Sequence, residues 1–424
     1  MLRQFFCALV VVTLSTSMLF AAEWTVFHGP KGDNKSPDTG LLKQWSEGGP
    51  TLLWKADSIG FGYSGVTVAD GRIFTTGNVG DLEMVFCLDM DGKLIWEKDN
   101  GAAIHTIADV HPRARNYPGT RGTPTIDGDV VFAVSALGQV TCFNVQNGDK
   151  IWSRNLLTDY NAPQPVWVLG HSVVVEGGHL ICMVGGAEAL AVALNKRTGE
   201  TVLVYPPAEG NTPTSYMTPY FFDFEGTRVL ALMGNASVEG YNAATAEKLF
   251  SFPFRNRVVV NVTAPIYRDG HLFVSTGYGY GTEGYRLTKN ANGTITATKL
   301  WHTEEFDSHH HALILLGDYV YGTSHGGNWM AVNFLTGEIA YRSRPVGEAA
   351  SVHYADGLIY CLSETSATVI LWNPNPNEFV EVSRFVLPDA EVAEGRAWAH
   401  PVVIGGRLYL RHAQFLYCYD VRSQ

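Results

Sequence analysis

The sequence predicts an all-β fold, an eight-bladed β-propeller of four-stranded antiparallel blades. Three observations carry that prediction. A hairpin motif recurs eight times, a second motif ending in an aromatic residue follows most copies, and a displaced strand near the N-terminus completes the last repeat.

The first motif is an apolar strand, a Gly-containing turn and a second apolar strand. Its copies are VADGRIF (68–74), TIDGDVVF (125–132), VEGGHLIC (175–182), DFEGTRVL (223–230), YRDGHLFV (267–274), LLGDYVYG (315–322), YADGLIYC (354–361) and VIGGRLYL (403–410). Asp-Gly and Gly-Gly between alternating apolar residues mark tight hairpins, because such turns need positive φ. The second motif has a small residue, then Asp or Asn, a Gly-containing turn and a strand with a closing aromatic. CFNVQNGDKIW (142–152), GYNAATAEKLF (240–250) and AVNFLTGEIAY (331–341) share one spacing, CLDMDGKLIW (87–96) is one residue shorter and ALNKRTGETVLVY (193–205) is looser. The closing aromatics are Trp96, Trp152, Tyr205, Phe250, Trp301, Tyr341 and Phe385. Two hairpins in succession make one four-stranded blade, with strands labelled A to D from the axis outward. The repeat averages about 47 residues between Trp54 and Phe385, which suits four short strands and their turns.

The last copy, CYDVRSQ (418–424), begins the second motif and has no final strand. GPTLLWKA (49–56) is a final strand with nothing before it. The N-terminal strand is therefore expected to complete blade eight, which removes the edges an open stack would expose. The resulting division is a signal peptide over 1–22, an N-terminal strap over 23–48 and one propeller over 49–424. A count from length alone would suggest about three domains, but all-β rings exceed that prior as single units.

Residues 1–22 read as a secretory signal: Arg3, an apolar run from Phe5 to Phe20, then Ala21-Ala22. No later segment has the apolar length of a transmembrane helix. An exported, soluble protein, periplasmic or extracellular and monomeric, is the expectation. The chain carries 30 Lys+Arg against 41 Asp+Glu, a net charge of −11, with no basic run. That excludes a nucleic-acid partner and an anionic membrane surface, both of which need clustered positive charge. Cys87, Cys142, Cys182, Cys361 and Cys418 show neither zinc-site nor redox spacing, and no disulfide is expected. Cys87, Cys142 and Cys418 share one repeat position, filled by Ala193, Gly240 and Ala331 in other blades, so they read as small buried residues.

In a propeller the D–A and B–C loops gather on one face around the channel. The D–A loops carry Arg113, Arg115 and Arg121 (blade two), Trp167 and His171 (three), Tyr216 (four), Arg255 and Arg257 (five), His309 to His311 (six), and Arg396, Trp398 and His400 (eight). The B–C loops add Glu188, Asn235, Tyr280, His325, Glu364 and His412. From these the candidate rim is Arg115, Arg121, Trp167, His171, Glu188, His309, His311, His325, Arg396, His400 and His412. Arginine forks and tryptophan faces suit a small polar or acidic ligand, planar or carboxylate-bearing; ordinary loop polarity is the competing reading. His309 and His311 are expected on one face of a strand, with His310 opposite. With His325 they offer three nitrogens, but structural or substrate-contacting histidines are favoured over a metal site. The connection 101–120, with His105 and His111, is a functional loop or a surface excursion.

The second motif, small-x-(Asp/Asn)-x-x-(Thr/Asn)-Gly-x-x-x-aromatic, resembles the tryptophan-docking repeat of the pyrroloquinoline quinone (PQQ)-like propellers. Residues 24–54 resemble their N-terminal strap. That superfamily includes quinoprotein alcohol dehydrogenases and also cofactor-free propellers such as the scaffold lipoprotein of outer-membrane assembly. The resemblance implies PQQ with calcium in the first case and a protein partner in the second. This chain has no adjacent cysteine pair, no positions matching the calcium and catalytic residues of the dehydrogenases, and no lipobox. The expectation is accordingly a ligand-binding or protein-assembly module without quinone. A PQQ-dependent oxidoreductase with a reduced site and a polysaccharide lyase-like propeller are the alternatives, the latter from rim His, Tyr and Arg that can abstract a proton beside a uronate carboxylate.

Overall fold

Two consecutive residues with positive φ let five of the eight short hairpins turn tightly. Asp70 (φ 49°) and Gly71 (φ 68°) join the first two strands of blade one, and Asp356 (φ 47°) and Gly357 (φ 88°) do the same in blade seven. The computed structural model describes residues 22–105, 117–207 and 216–423. Among them, eight four-stranded antiparallel sheets form an eight-bladed propeller. Blade one runs Thr67–Ala69, Arg72–Val79, Leu82–Asp89 and Leu94–Ala102; blade eight runs Val402–Ile404, Arg407–His412, Phe415–Asp420 and, outermost, Thr51–Ala56. The ring is thus closed by the N-terminal strand, as the displaced motif predicts. The signal-peptide assignment and Arg115 lie outside the described residues.

The second motif acquires its meaning from the register between the outer two strands. The small residue sits opposite the closing aromatic in Cys87↔Trp96, Cys142↔Trp152, Gly240↔Phe250, Gly284↔Trp301, Ala331↔Tyr341 and Cys418↔Trp54. The ring lies over that residue: a Cβ on Gly240 would fall 2.0 Å from Phe250, and one on Gly284 2.2 Å from Trp301. Beside each pair the register slips by a bulge, which strengthens the twist. Each tryptophan then reaches into the next blade. Trp96 donates from Nε1 to the Val145 carbonyl (3.0 Å), Trp152 to Lys196 (3.1 Å) and Trp54 to Met90 (2.8 Å). A Cβ on Gly148, Gly199 or Gly92 would strike those three rings at 2.6–2.8 Å, so the motif's glycine is also the floor on which the preceding blade docks. Two of the expected aromatics depart from the pattern. Tyr205 pairs with Ala191 and Phe385 with Val369, because the outer strands of blades three and seven carry their ring two pairs further along.

All five cysteines among the described residues are free and buried. Those opposite Trp54, Trp96 and Trp152 are the small residues of the docking pair. Burial pushes the thiols up, Cys87 to about 11 and Cys142 to about 12, so they pack as inert apolar groups. Among the described residues no helix is long and apolar enough to cross a membrane.

Residues 24–42 cross the channel between the innermost strands. Trp24 pairs with Val68 of blade one, and the Thr25 carbonyl accepts from Ile126 N–H of blade two. Lys35 donates to the Leu315 carbonyl of blade six (2.6 Å), Ser36 N–H to Tyr354 of blade seven, and Leu42 N–H to Val421. Asn34 is pinned against His353 of blade seven (3.1 Å). Val403 N–H donates to His353 Nε2 (3.2 Å), so Nδ1 carries the proton that Asn34 Oδ1 accepts.

Candidate functional site

Above this crossing segment the D–A and B–C loops enclose a cavity of about 530 Å³, within the range of small-molecule sites. Blade two supplies Arg121, blade three Trp167, blade six His309, His310 and His325, and blade eight Arg396, Trp398 and His400. Phe27 and His28 of the crossing segment also line it. Six of the eleven candidate residues therefore share one concavity: Arg121, Trp167, His309, His325, Arg396 and His400.

The other candidates fall elsewhere. His171 is buried and accepts from Met183 N–H at 3.3 Å. His412 is buried and donates to the Gly395 carbonyl (2.8 Å). Glu188 is exposed and does not line the cavity. The blade-six histidines correct the expectation of strand alternation. The strand begins only at Leu313, and His309 to His311 precede it in a bend that ends at Ala312, φ 64°. His309 and His310 consequently both line the cavity, while His311 is buried beside it. Tyr63, Tyr117 and Tyr278, like Phe27 and His28, were not legible as site residues, since nothing in their local sequence marks them.

Backbone strain concentrates here. His28 (φ 66°), Val168 (φ 61°), Val259 (φ 62°), Tyr278 (φ 63°) and Ala312 (φ 64°) are non-glycine residues in the left-handed region, and each lines the cavity or adjoins a residue that does. For β-branched Val168 and Val259 the conformation is a true outlier, of the kind the fold retains where it places a functional side chain.

The wall chemistry is imidazole, aromatic and cationic. Trp398 sits between Tyr63, Tyr117 and His310, with ring centroids 4.8, 4.7 and 5.1 Å away. Tyr278 contacts His309 and His325 at 4.8 and 4.6 Å. A relay joins three distant segments: His400 Nε2 donates to the His310 carbonyl (2.7 Å), which leaves His400 Nδ1 to accept from His28 Nε2 (3.0 Å). Burial, reinforced by neighbouring imidazoles, lowers His309 to about 3 and holds His28 and His310 well below the usual histidine range, so these imidazoles are uncharged. Glu364 is the opposite case. Burial alone would raise it, but His311 and the Trp398 indole N–H (3.0 Å) bring it down to about 2, a fixed carboxylate. Arg121 lies over the Tyr63 ring (5.5 Å) and donates to the carbonyls of Gly119 and Tyr117.

Glu83 of blade one is fully buried. Its Oε2 accepts from Ala136 N–H (3.1 Å), while its Oε1 has no partner. Burial pushes its carboxyl up to about 8, against the opposing pull of the Ala136 bond and of Arg121. The folded protein thus keeps a proton that the unfolded chain releases near 4.5, so this stability is complete below pH 4.5 and is lost as pH rises to about 8. Glu83→Gln is expected to flatten that slope. At pH 8 the variant should be more stable than the parent by ~2–4 kcal/mol, the difference vanishing toward pH 5, as read from urea midpoints across the range. Parallel pH profiles for the two proteins would show that Glu83 is ionised in the fold.

The comparisons with known proteins agree with the docking geometry. The sequence model of the family described as outer membrane protein assembly factor BamB matches residues 39–216. The repeats resemble those of the PQQ-like propellers. The chain is 24% identical over 248 residues to outer membrane protein assembly factor BamB of Shewanella oneidensis, 56% of each protein, so it spans about half the length of that relative. Among solved structures, BamB from Moraxella catarrhalis superposes with a TM-score of 0.60 at 15% identity, covering 88% of this propeller and 99% of that chain. Quinohemoprotein alcohol dehydrogenase from Comamonas testosteroni gives 0.64 at 11% identity, covering 95% and 81%. At these identities the structures establish the shared propeller fold alone.

Proposed function

We propose that this propeller is a binding module whose axial cavity takes a planar, carboxylate-bearing small molecule. The observation that carries the reading is the charge pattern of the wall. Arg121, Arg396 and Lys35 line a cavity whose imidazoles are uncharged, and they outnumber its two carboxyl groups, Asp33 and Glu364, in a chain of net charge −11. Guanidinium forks match carboxylates, and the faces of Trp167 and Trp398 match a flat ligand body.

The resemblance also implies PQQ with calcium, and the donor chemistry does not fit that pair. Among the described residues, the one cluster of three or more His, Cys, Asp or Glu donors is His310, His311 and Glu364. Calcium takes six to eight oxygens, whereas two of these three donors are imidazole nitrogens. No step through a quinone follows from this wall.

Protein assembly is supported by different features: the BamB likeness, and apolar side chains on the outermost strands of consecutive blades. Leu52 and Leu53 of blade eight, Leu94 and Ile95 of blade one, Ile151 of blade two and Val202 and Val204 of blade three are all exposed. On this reading the chain works in the cell envelope, as the relatives' name says of them.

A fluorescence titration of the wild-type chain with aromatic and sugar carboxylates, beside their uncharged amides, tests the proposal. Saturable quenching by an acid, weakened 10- to 100-fold in Arg121→Gln or Arg396→Gln, is expected from the loss of a charge-assisted bond worth ~1.5–3 kcal/mol. Equal binding of amide and acid overturns it. Absence of small-molecule binding, with a cross-linked protein partner lost on Ile95→Lys, replaces it by the assembly reading.

A further inference from the structure

We infer that His310, His311 and Glu364 form a binding site for a divalent transition-metal cation of the zinc class on the wall of the axial cavity. The inference goes beyond the carboxylate reading and does not depend on it, because the three donors come together without any organic ligand.

Geometry carries the argument. One ligand atom from each residue lies within 4.8 Å of the other two. His311 Nε2 is 3.4 Å from Glu364 Oε2, and His310 Nε2 is 4.0 Å from the same oxygen. Donors around a tetrahedral zinc at about 2.0–2.1 Å stand roughly 3.4 Å apart, so one pair already has the required spacing and the other closes with a small side-chain movement.

The second observation is the state of the nitrogens. His310 Nε2 is buried and has no hydrogen-bond partner, and His311 Nδ1 is likewise unpartnered. A buried nitrogen without a partner is costly, and the one beside the fixed carboxylate is relieved by a cation. The supporting shell is in place. His310 Nδ1 is held by His309 Nδ1 at 2.9 Å, and Glu364 accepts from the Trp398 indole at 3.0 Å. Such partners orient metal ligands. Two imidazoles and one carboxylate are the ligand types zinc takes in sites that keep a fourth position open. Here that position faces the cavity, since His310 and Glu364 both line it. Ligation through Nε2 requires the His311 proton to sit on Nδ1, which leaves a neutral imidazole beside the Glu364 carboxylate as donors.

The test uses tag-free chain stripped with a chelator, then titrated calorimetrically with zinc and, separately, with cobalt(II) for its visible absorption. One equivalent per chain is expected, with a tetrahedral cobalt spectrum and a raised melting temperature on zinc addition. His310→Ala should abolish binding, and Glu364→Gln should weaken it by at least 10-fold. His325→Ala, an imidazole of the same wall outside the triad, should retain it. Should His310→Ala fail to fold, the cobalt spectrum of Glu364→Gln decides, because loss of an oxygen donor changes its intensity and band positions. Absence of stoichiometric binding in the wild-type chain overturns the site, and so does binding unchanged in folded His310→Ala or lost in His325→Ala alone.

Discussion

A chain truncated to begin at Asp57 is expected to aggregate, whereas one beginning at Gly49 should still fold, with reduced stability. The first lacks Thr51–Ala56, the outermost strand of blade eight, and so exposes the edge of Phe415–Asp420. It also loses the Trp54 ring that docks on Gly92 of blade one and donates to the Met90 carbonyl. The seam it fastens is a continuous apolar cluster shared by blades eight and one, with Tyr409, Leu416 and Cys418 against Val68, Phe86 and Leu88. The second truncation removes only the crossing segment and keeps the ring. Trp54→Ala in the full chain isolates the docking ring and should cost ~3–5 kcal/mol. Size-exclusion profiles and cooperative denaturation of the two truncations decide the matter. A monomeric, cooperatively unfolding chain from Asp57 would refute the closure.

Arg411→Met is expected to destabilise the ring by ~2–4 kcal/mol, because several buried oxygens lose a charged donor. Arg411 is 2% exposed, and none of the ion pairs among the described residues involves it. Its guanidinium is instead caged by oxygens across the seam: Thr76 O at 2.5 Å, Thr75 Oγ1 at 2.8 Å, Ser64 O at 3.3 Å and Gly60 O at 3.2 Å, all of blade one and its approach, with Ala413 O at 3.0 Å. Burial alone lowers it, to about 9, so it remains the cation that these carbonyls need at neutral pH. Methionine fills the volume but withdraws the guanidinium donors from these oxygens. Arg411→Lys should recover only part of the loss, because one ammonium cannot span the fork. A shift of the denaturant midpoint worth less than 1 kcal/mol for Arg411→Met would show that the cage is dispensable.

Both predictions concern the same seam, and the two partners were unequally visible in the sequence. Trp54 stood out because its strand repeats a motif seen elsewhere in the chain. Arg411 sits in an ordinary second strand, RLYLRH, and its five acceptors are backbone or hydroxyl oxygens that no local pattern announces. The rim divides in the same way. Arg121, Trp167, His325 and His400 line one cavity because loop position in a propeller dictates which end of the axis a residue occupies. His171 and His412 occupy such loops too, yet they turn into the protein.

Blade number, the order of strands within a blade, the docking pair of small residue and aromatic, and the closing strand were determined by the sequence alone. Each is written in a contiguous stretch of one repeat, where alternation and turn residues act over a few positions. Tertiary structure decided which side chains face the axis. His28, His310 and His400 meet through backbone bends at non-glycine residues and through a segment that crosses the channel. Those conformations are unfavourable locally and persist only because surrounding packing imposes them, so residues hundreds of positions apart become neighbours without any periodic signal to foretell it.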